Sequence, residues 1–399
     1  MQYGLDERRN DFSVAFSRVV DAAIDLEVDF CIIAGDLFDN PRPSSATLTD
    51  VISQLNRLRK QEIPVLAVNG SHDTAQTAET SILTPLDKAE LLRFLPLYGS
   101  KGWSNEECYV YGLFNYSSRL RLLQELPGFL QENPPKPVKP FNICVLHQGL
   151  EWPSLSLPYP LEIQPTELPQ GFQYYASGHL HRHAIMRLED RDAVFVYPGA
   201  TETKDLREAD EKKGFCYIQV NSKDKVEIAH REIPTRRFER ATVECDDLTP
   251  QEIVEKAVQK LNELDCEGCI IALTLEGVLA PGFKRYQVDL NALLAARRKA
   301  LHFQILNHLS EPRPKKAQRN KILQPRDLHE RVLPYLKQFI TDSKFHGDEP
   351  NNGWNDAQNR AEEVWQVLEQ ARVRKVNNAL GTGIGDRITE LASSASSKR

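Results

Sequence analysis

Several things are missing from this sequence, and each absence removes a class of protein. No run of residues is long and apolar enough to span a bilayer, so no membrane-crossing helix is expected. No secretory-signal pattern opens it. Positive charge is not in excess: 50 Lys and Arg face 56 Asp and Glu, for a net charge of -6. That excludes a uniformly basic nucleic-acid coat and leaves room for a local basic patch. Cysteines number only seven in 399 residues, odd in count and scattered. This excludes a disulfide framework and fits reduced, buried thiols in a cytoplasmic protein. Cys266 and Cys269 form a C-x-x-C, but no second pair completes a zinc site. Histidine is scarce too, at ten, which makes its placement informative.

What is present reads as two or three folded units, since 399 residues exceed one ordinary domain. Residues 12–27 carry Phe12, Phe16, Val19, Val20, Ala23 and Ile24 at helical spacing. The apolar run "FCIIA" (30–34) reads as a buried strand ending in "GDLFDN". A helix near 47–60, the strand "IPVLAV" and the turn "NGSHD" follow. This alternation indicates an α/β domain with largely parallel pairing at its start. Further strands are expected at 108–113, 141–147, 172–177, 193–197 and 214–220, with "PPKPVKP" (134–140) as a surface connection. Beyond "REIPTRRFER" (231–240), a strand (241–245), a helix (250–264), a strand (269–275) and a helix (about 290–302) describe a smaller α+β unit. "EPRPKKAQRNK" (311–321) reads as a proline-broken basic linker. Two amphipathic segments come after it, one with Leu328, Val332, Leu336 and Phe339, the other with Ala361, Val364, Trp365, Leu368 and Ala371. The tail "SSASSKR" has little to bury and is expected to be disordered.

Three histidines, His179, His181 and His183, crowd into "SGHLHRHA" (177–184). Alternate residues of an extended segment share a side, so a strand end would aim all three imidazoles at one point, as a metal requires. The competing reading is a polar loop that happens to be rich in histidine. Other loops decide. "AGDLFDN" offers Asp36 and Asp39, "NGSHD" offers His72 and Asp73, "VLHQG" offers His147, and "SGHLH" offers His179 and His181. Each follows directly on an apolar strand, and strand ends are where open α/β sheets bind ligands. A carboxylate among neutral imidazoles suits manganese, iron or zinc. Gly35, Gly70 and Gly178 fit turns where backbone must pass close to a site.

The order GD-x-x-D, G-[NS]-H-D, H, GH-x-H resembles that of the calcineurin-like metallophosphoesterases. "QYGLDERRNDF", "LHQ", "YPGATE" and "IPTRRF" narrow the resemblance to the SbcD-like, meiotic-recombination-type nucleases of double-strand-break repair, over about residues 1–310. The resemblance implies a four-layer α/β sandwich, two mixed sheets flanked by helices, with a small α+β capping domain and C-terminal helices. It divides the chain into a nuclease domain (1–232), a capping and DNA-binding domain (233–310), a basic linker (311–325), ATPase-binding helices (326–380) and a tail (381–399). It also implies Asp36 as the ligand bridging two Mn2+ ions, His147 and His179 as ligands of one ion, and His181 as a ligand of the other. His72 takes the role of general acid or transition-state stabiliser, with Asp73 orienting it. Two metals about 4 Å apart would clamp the phosphodiester and supply a hydroxide. His183 falls outside the pattern.

Two departures change the expectation. The family's opening strand ends in Asp-x-His, whereas this sequence starts at Met1-Gln2-Tyr3, inside the segment that follows. One reading is a start assigned too late or an incomplete gene. The other is a paralogue that kept the scaffold and gave up catalysis. Ser71 stands at the position of a ligating asparagine, and a hydroxyl is a poorer metal ligand than an amide carbonyl. One ion then keeps Asp36, His147 and His179, and the other only Asp36 and His181. One metal or none is expected.

Arg236, Arg237 and Arg240, Lys284 and Arg285, and Arg297, Arg298 and Lys299 are candidate phosphate contacts, against the reading of a solvated charged surface. As partners the resemblance implies DNA, an SbcC-like ABC-type coiled-coil ATPase held by the C-terminal helices, and a second copy of the chain. The homodimer would use apolar faces at Val51, Leu55 and Leu58 and at Leu86, Leu91 and Phe94, residues that serve equally as ordinary core. The expected location is the cytoplasm, beside the nucleoid. Two function classes stand: a metal-dependent DNA exonuclease or endonuclease subunit, and a non-catalytic DNA-binding or scaffold subunit on the same fold.

Overall fold

The amphipathic helix α1 (Asp6–Asp25) starts earlier than its apolar spacing indicates. Asp6 and Glu7 occupy its first turn, where carboxylates meet the positive end of the helix. The structure, a computed structural model, describes residues 2–74, 81–152, 162–221, 226–264, 267–296 and 299–312. After α1 come β1 (Cys31–Ala34) and α2 (Ser45–Lys60), whose cap Ser44 accepts from the Thr47 amide. β2 (Val65–Val68), α3 (Leu83–Lys88) and the two-residue β3 (Arg93–Phe94) complete a parallel sheet ordered β1-β2-β3. Its side chains alternate with period two. Cys31, Ile33, Val65 and Ala67 join the helix-side core, and Ile32, Ala34, Leu66 and Val68 the core on the other face. Val51, Leu55, Leu58, Leu86, Leu91 and Phe94 all lie buried in that helix-side core. They are core, and not the dimer faces considered from the sequence.

A second sheet takes β4 (Trp103–Ser104), β5 (Cys108–Gly112), β6 (Phe141–Leu146), β7 (Tyr174–Ser177), β8 (Ala184–Leu188) and β9 (Ala193–Tyr197) in the order β4-β5-β6-β7-β9-β8. The central four strands run parallel, and the two edge strands are antiparallel. On one face Tyr109, Tyr111, Tyr175 and Phe195 pack with Leu122 and Leu126 of α4 (Arg119–Glu132). On the other, Val110, Ile143, Val145, Ala176 and Val196 meet Leu66 and Val68 of the first sheet. Helices, sheet, sheet and helix make the four-layer α/β sandwich that the sequence indicates.

β10 (Gly214–Val220) and β11 (Val226–Glu232) form an antiparallel ribbon whose Cys216, Ile218, Val226 and Ile228 pack against the same inter-sheet core. Among the described residues β10 pairs only with β11, and β1 only with β2. Both lie on one cavity of about 2260 Å³, lined by residues 30–36, by residues 214–221, and by Phe141, Ile143, Tyr174, Ala176 and Val196. Two strand edges over an apolar floor make a slot of the kind that an extended segment fills.

The third sheet, β12 (Phe238–Glu244), β13 (Ile270–Val278) and β14 (His302–Ser310), is parallel throughout. With α5 (Pro250–Glu263) and α6 (Leu290–Ala295) it encloses its own core of Val243, Ile253, Leu261, Leu273 and Leu293. A capping box between Thr249 and Glu252 starts α5. The helix expected to reach 302 ends at Ala295, and β14 follows it. Phe303, Ile305 and Leu309 reach the core at odd positions, a strand period that the polar residues between them obscure. β8 and β11, of mixed polar and apolar sequence, are further strands that the sequence does not single out.

Residues 1–312 form one compact unit. A buried charge network ties its ends together. Arg8 of α1, fully buried, donates to Glu202 at 3.1 Å, to the Thr203 carbonyl at 2.5 Å and to Asp11 at 2.5 Å, with the Phe238 ring against its guanidinium. Asp11 accepts also from Arg236, at 2.5 and 2.7 Å. Burial alone would raise the Asp11 carboxyl, but the two arginines outweigh it and hold it below the usual range. Removing one partner from such a buried set typically costs about 3–5 kcal/mol, because the other charge is left uncompensated. Cys31, Cys108, Cys144, Cys216 and Cys245 are free thiols, but Cys269 is disulfide-bonded, contrary to the expectation of reduced thiols throughout. A C-x-x-C is also the spacing of a redox pair, and Cys266 lies outside the described residues. The linker, both C-terminal amphipathic segments and the tail lie outside them as well. No helix among the described residues is long and apolar enough to cross a membrane.

Candidate metal centre

The strand ends deliver their loops to one place. Asp36 follows β1, His72 follows β2, His147 follows β6, and His179 and His181 follow β7; all five line the cavity. The approach is too close for side chains. A Cβ on Gly35 would lie 2.3 Å from His147 Nδ1, one on Gly70 2.0 Å from Asp36 Oδ1, and one on Gly178 2.0 Å from the Ala34 carbonyl. Asp36 (φ 53) and His179 (φ 84) take left-handed backbone, which is costly outside glycine and concentrates at functional sites. The turn at His179 also means that residues 177–184 are not extended, so the three imidazoles do not share a side. His183 meets the Tyr197 carbonyl at 2.8 Å and stacks on His230 at 4.3 Å, away from the others.

Three imidazoles are pinned through Nδ1. His147 donates to the Ala34 carbonyl at 2.8 Å and His72 to the Asp39 carbonyl at 2.9 Å. His181 meets Glu208 Oε1 at 2.5 Å. Such oxygens only accept, so each Nδ1 carries the proton and Nε2 of the neutral ring keeps a lone pair. His147 Nε2 is buried, has no hydrogen-bond partner among the described residues, and stands 3.3 Å from Asp36 Oδ2. A lone pair facing a carboxylate oxygen calls for a cation, either a proton or a metal ion. Burial alone would raise Asp36, yet His147 beside it and the His72 amide at 2.8 Å hold it down to about 2. Burial lowers His147, and Asp36 more than offsets that. Burial, then the charge of His147, drives His179 down to about 4, which leaves it a neutral donor at physiological pH.

Asp36, His147 and His179 are the right chemistry for one transition-metal ion. No three His, Cys, Asp or Glu groups among the described residues close into a ready-made cage, so holding an ion would take a shift of the loops. Ser71 is exposed and does not line the cavity. A second position is left with Asp36 and His181. These donors fit one ion and not two.

Asp73 does not orient His72 as its place in the sequence implies. Its buried carboxylate accepts from the Phe38 amide at 3.0 Å and the Gly70 amide at 2.8 Å, lashing two loops together. The Asp39 carbonyl orients His72 instead, and a main-chain acceptor leaves no mark in a sequence. The basic clusters are largely committed within the fold. Arg236 binds Asp11 and the Gly268 carbonyl, Arg237 pairs with Glu239, Arg240 with Asp210, Lys284 with Glu311 and Lys299 with Glu267. Arg297 and Arg298 lie outside the described residues.

A four-layer sandwich with aspartate and histidine gathered at its strand ends defines a calcineurin-like phosphoesterase, and residues 9–183 match the family described as "Calcineurin-like phosphoesterase". The DNA double-strand break repair protein Mre11 of Sulfurisphaera tokodaii is 31% identical over 292 residues, covering 70% of this chain and 71% of that protein. The chain belongs to the Mre11 family. Mre11 of Saccharolobus solfataricus is 27% identical over 88% of this chain and 89% of its own length. Mre11 of Methanococcus maripaludis is 28% identical over 58% of this chain, and the match spans 64% of that relative's length.

Proposed function

We propose that this chain hydrolyses DNA phosphodiester bonds, exonucleolytically or endonucleolytically, as the nuclease subunit of a double-strand-break repair complex that uses Mn2+. One observation carries the reading: the buried Nε2 of His147, without a hydrogen bond of good geometry among the described residues, stands 3.3 Å from Asp36 Oδ2. Asp36, His147 and His179 would hold the ion. When bound, it supplies Lewis-acid charge to a phosphate and activates water. His72 has its Nδ1–H fixed by the Asp39 carbonyl, so that the imidazolium form carries a second proton on Nε2, hands it to the leaving oxygen and returns to the neutral ring. The nuclease domain is residues 1–232 and the cap 233–310. The helices of 326–380 dock an SbcC-like ATPase, and two copies of the chain assemble with it. Support comes from the Mre11 relatives and the site's donor set.

A second reading, a DNA-binding subunit without catalysis, is favoured by the two-donor second position and the exposed Ser71. End-labelled duplex DNA with manganese separates them. Shortening that requires manganese and disappears in Asp36→Asn supports the nuclease. Duplex that is bound and left intact at saturating manganese establishes the second reading.

A further inference from the structure

His181 is a candidate ligand whose ring is held from outside its own loop, by a distant charge run. Glu208 lies in "READEKKG" (207–214), a stretch that reads as solvated surface. In the fold its carboxylate is turned inward. Oε1 accepts from His181 Nδ1 at 2.5 Å, while Oε2 accepts from Lys213 Nζ at 2.9 Å and from the Lys204 amide at 3.1 Å. The Lys213 side chain is fully buried, and its ammonium also donates to the His181 carbonyl at 3.2 Å. One lysine therefore grips both the backbone of His181 and the carboxylate that holds its ring.

We propose that Glu208 is a positioning residue that fixes the tautomer of His181, so that Nε2 is presented to the cavity as a metal donor. The argument is one of matched donors and acceptors. Oε2 is already claimed by two N–H donors, so the only role left to Oε1 is to accept from His181. The ring must carry its proton on Nδ1, and its lone pair must sit on Nε2. A carboxylate behind a ligating imidazole also raises its basicity, and losing such a partner commonly weakens metal binding by about 10–100-fold.

The inference rests on His181 as a metal donor only for its metal-binding half, and the isosteric variant Glu208→Gln tests both halves. An ammonium and an amide N–H can meet only an acceptor, so the glutamine oxygen must face Lys213 and Lys204. Its NH2 group then faces His181, forces Nδ1 to accept, and moves the proton to Nε2. Nitrogen-15 NMR of the imidazole in metal-free protein is expected to show the Nδ1–H tautomer in the parent and Nε2–H in Glu208→Gln. The conservative Glu208→Asp restores Nδ1–H. With an Asp-x-His segment fused ahead of Met1 to complete the position of His181, Mn2+ titration followed by the resonance of the free ion is expected to show the second ion weakened by about 10–100-fold in Glu208→Gln. A purely structural role would lower the melting temperature and leave the tautomer alone. An Nε2–H tautomer in the parent protein, or an unchanged tautomer in folded Glu208→Gln, overturns the proposal. If the fused protein takes up no second Mn2+, His181 is no metal donor, and the tautomer still decides the role of Glu208.

Discussion

Fusing an extended segment ahead of Met1, with alternate apolar residues and a terminal Asp-x-His, is expected to raise the melting temperature and the manganese-dependent nuclease rate together. The slot between β1 and β10 is the reason. Both strands offer an unpaired edge among the described residues, and the floor is apolar, with Ile143, Tyr174, Ala176 and Val196 lining it. Each apolar side chain that fills it contributes about 1.5–3 kcal/mol. A net gain of about 2 kcal/mol shifts the melting temperature by roughly 3 °C in a unit of this size. Because Asp36 lies at the end of β1 and lines the same cavity, a segment running alongside delivers its last residues to the metal centre. Calorimetry and cleavage of labelled duplex measure the two effects. A fusion that melts no higher and cuts no faster than one carrying a polar segment contradicts this account of the slot.

His72→Ser and His179→Ser are expected to fail in different ways. His72 is held through Nδ1 by a main-chain carbonyl, and its own amide steadies Asp36, so its side chain is free for the transition state. Removing a positioned acid typically costs about 10²–10⁴-fold in turnover. Bound metal and DNA affinity should barely change, since the amide to Asp36 survives the substitution. His179 sits beside His147 with their rings 5.4 Å apart, in left-handed backbone that ordinary packing does not reward. His179→Ser should lose metal and activity at once. Rates and bound manganese on the two variants, best made in the strand-fused form, are the measurement. If His72→Ser empties the site as fully as His179→Ser, His72 is a ligand and not the acid.

The layers were legible because alternation and apolar runs report burial directly. "FCIIA", "IPVLAV" and "FNICVL" became β1, β2 and β6, and the loops after them carry the site. Strand β14 was not legible, since Asn307 interrupts its apolar face and Leu306 breaks the alternation on the other. The alternation of His179, His181 and His183 misled, because a positive φ at His179 breaks the period that the argument needs. Asp39 took the role expected of Asp73 for a different reason: the acceptor that orients His72 is backbone. Glu208 and Lys213 lay hidden in a charge run, and only the fold of the 204–214 segment brings them behind His181.

The proposed function rests on a single transition-metal ion that Asp36, His147 and His179 would hold. Manganese per chain, determined by mass spectrometry after loading and exhaustive dialysis, tests it most directly. The account predicts close to one equivalent in the parent, none in His147→Ala, and one still in His72→Ser. Two equivalents retained by the parent, or one surviving in His147→Ala, would contradict it.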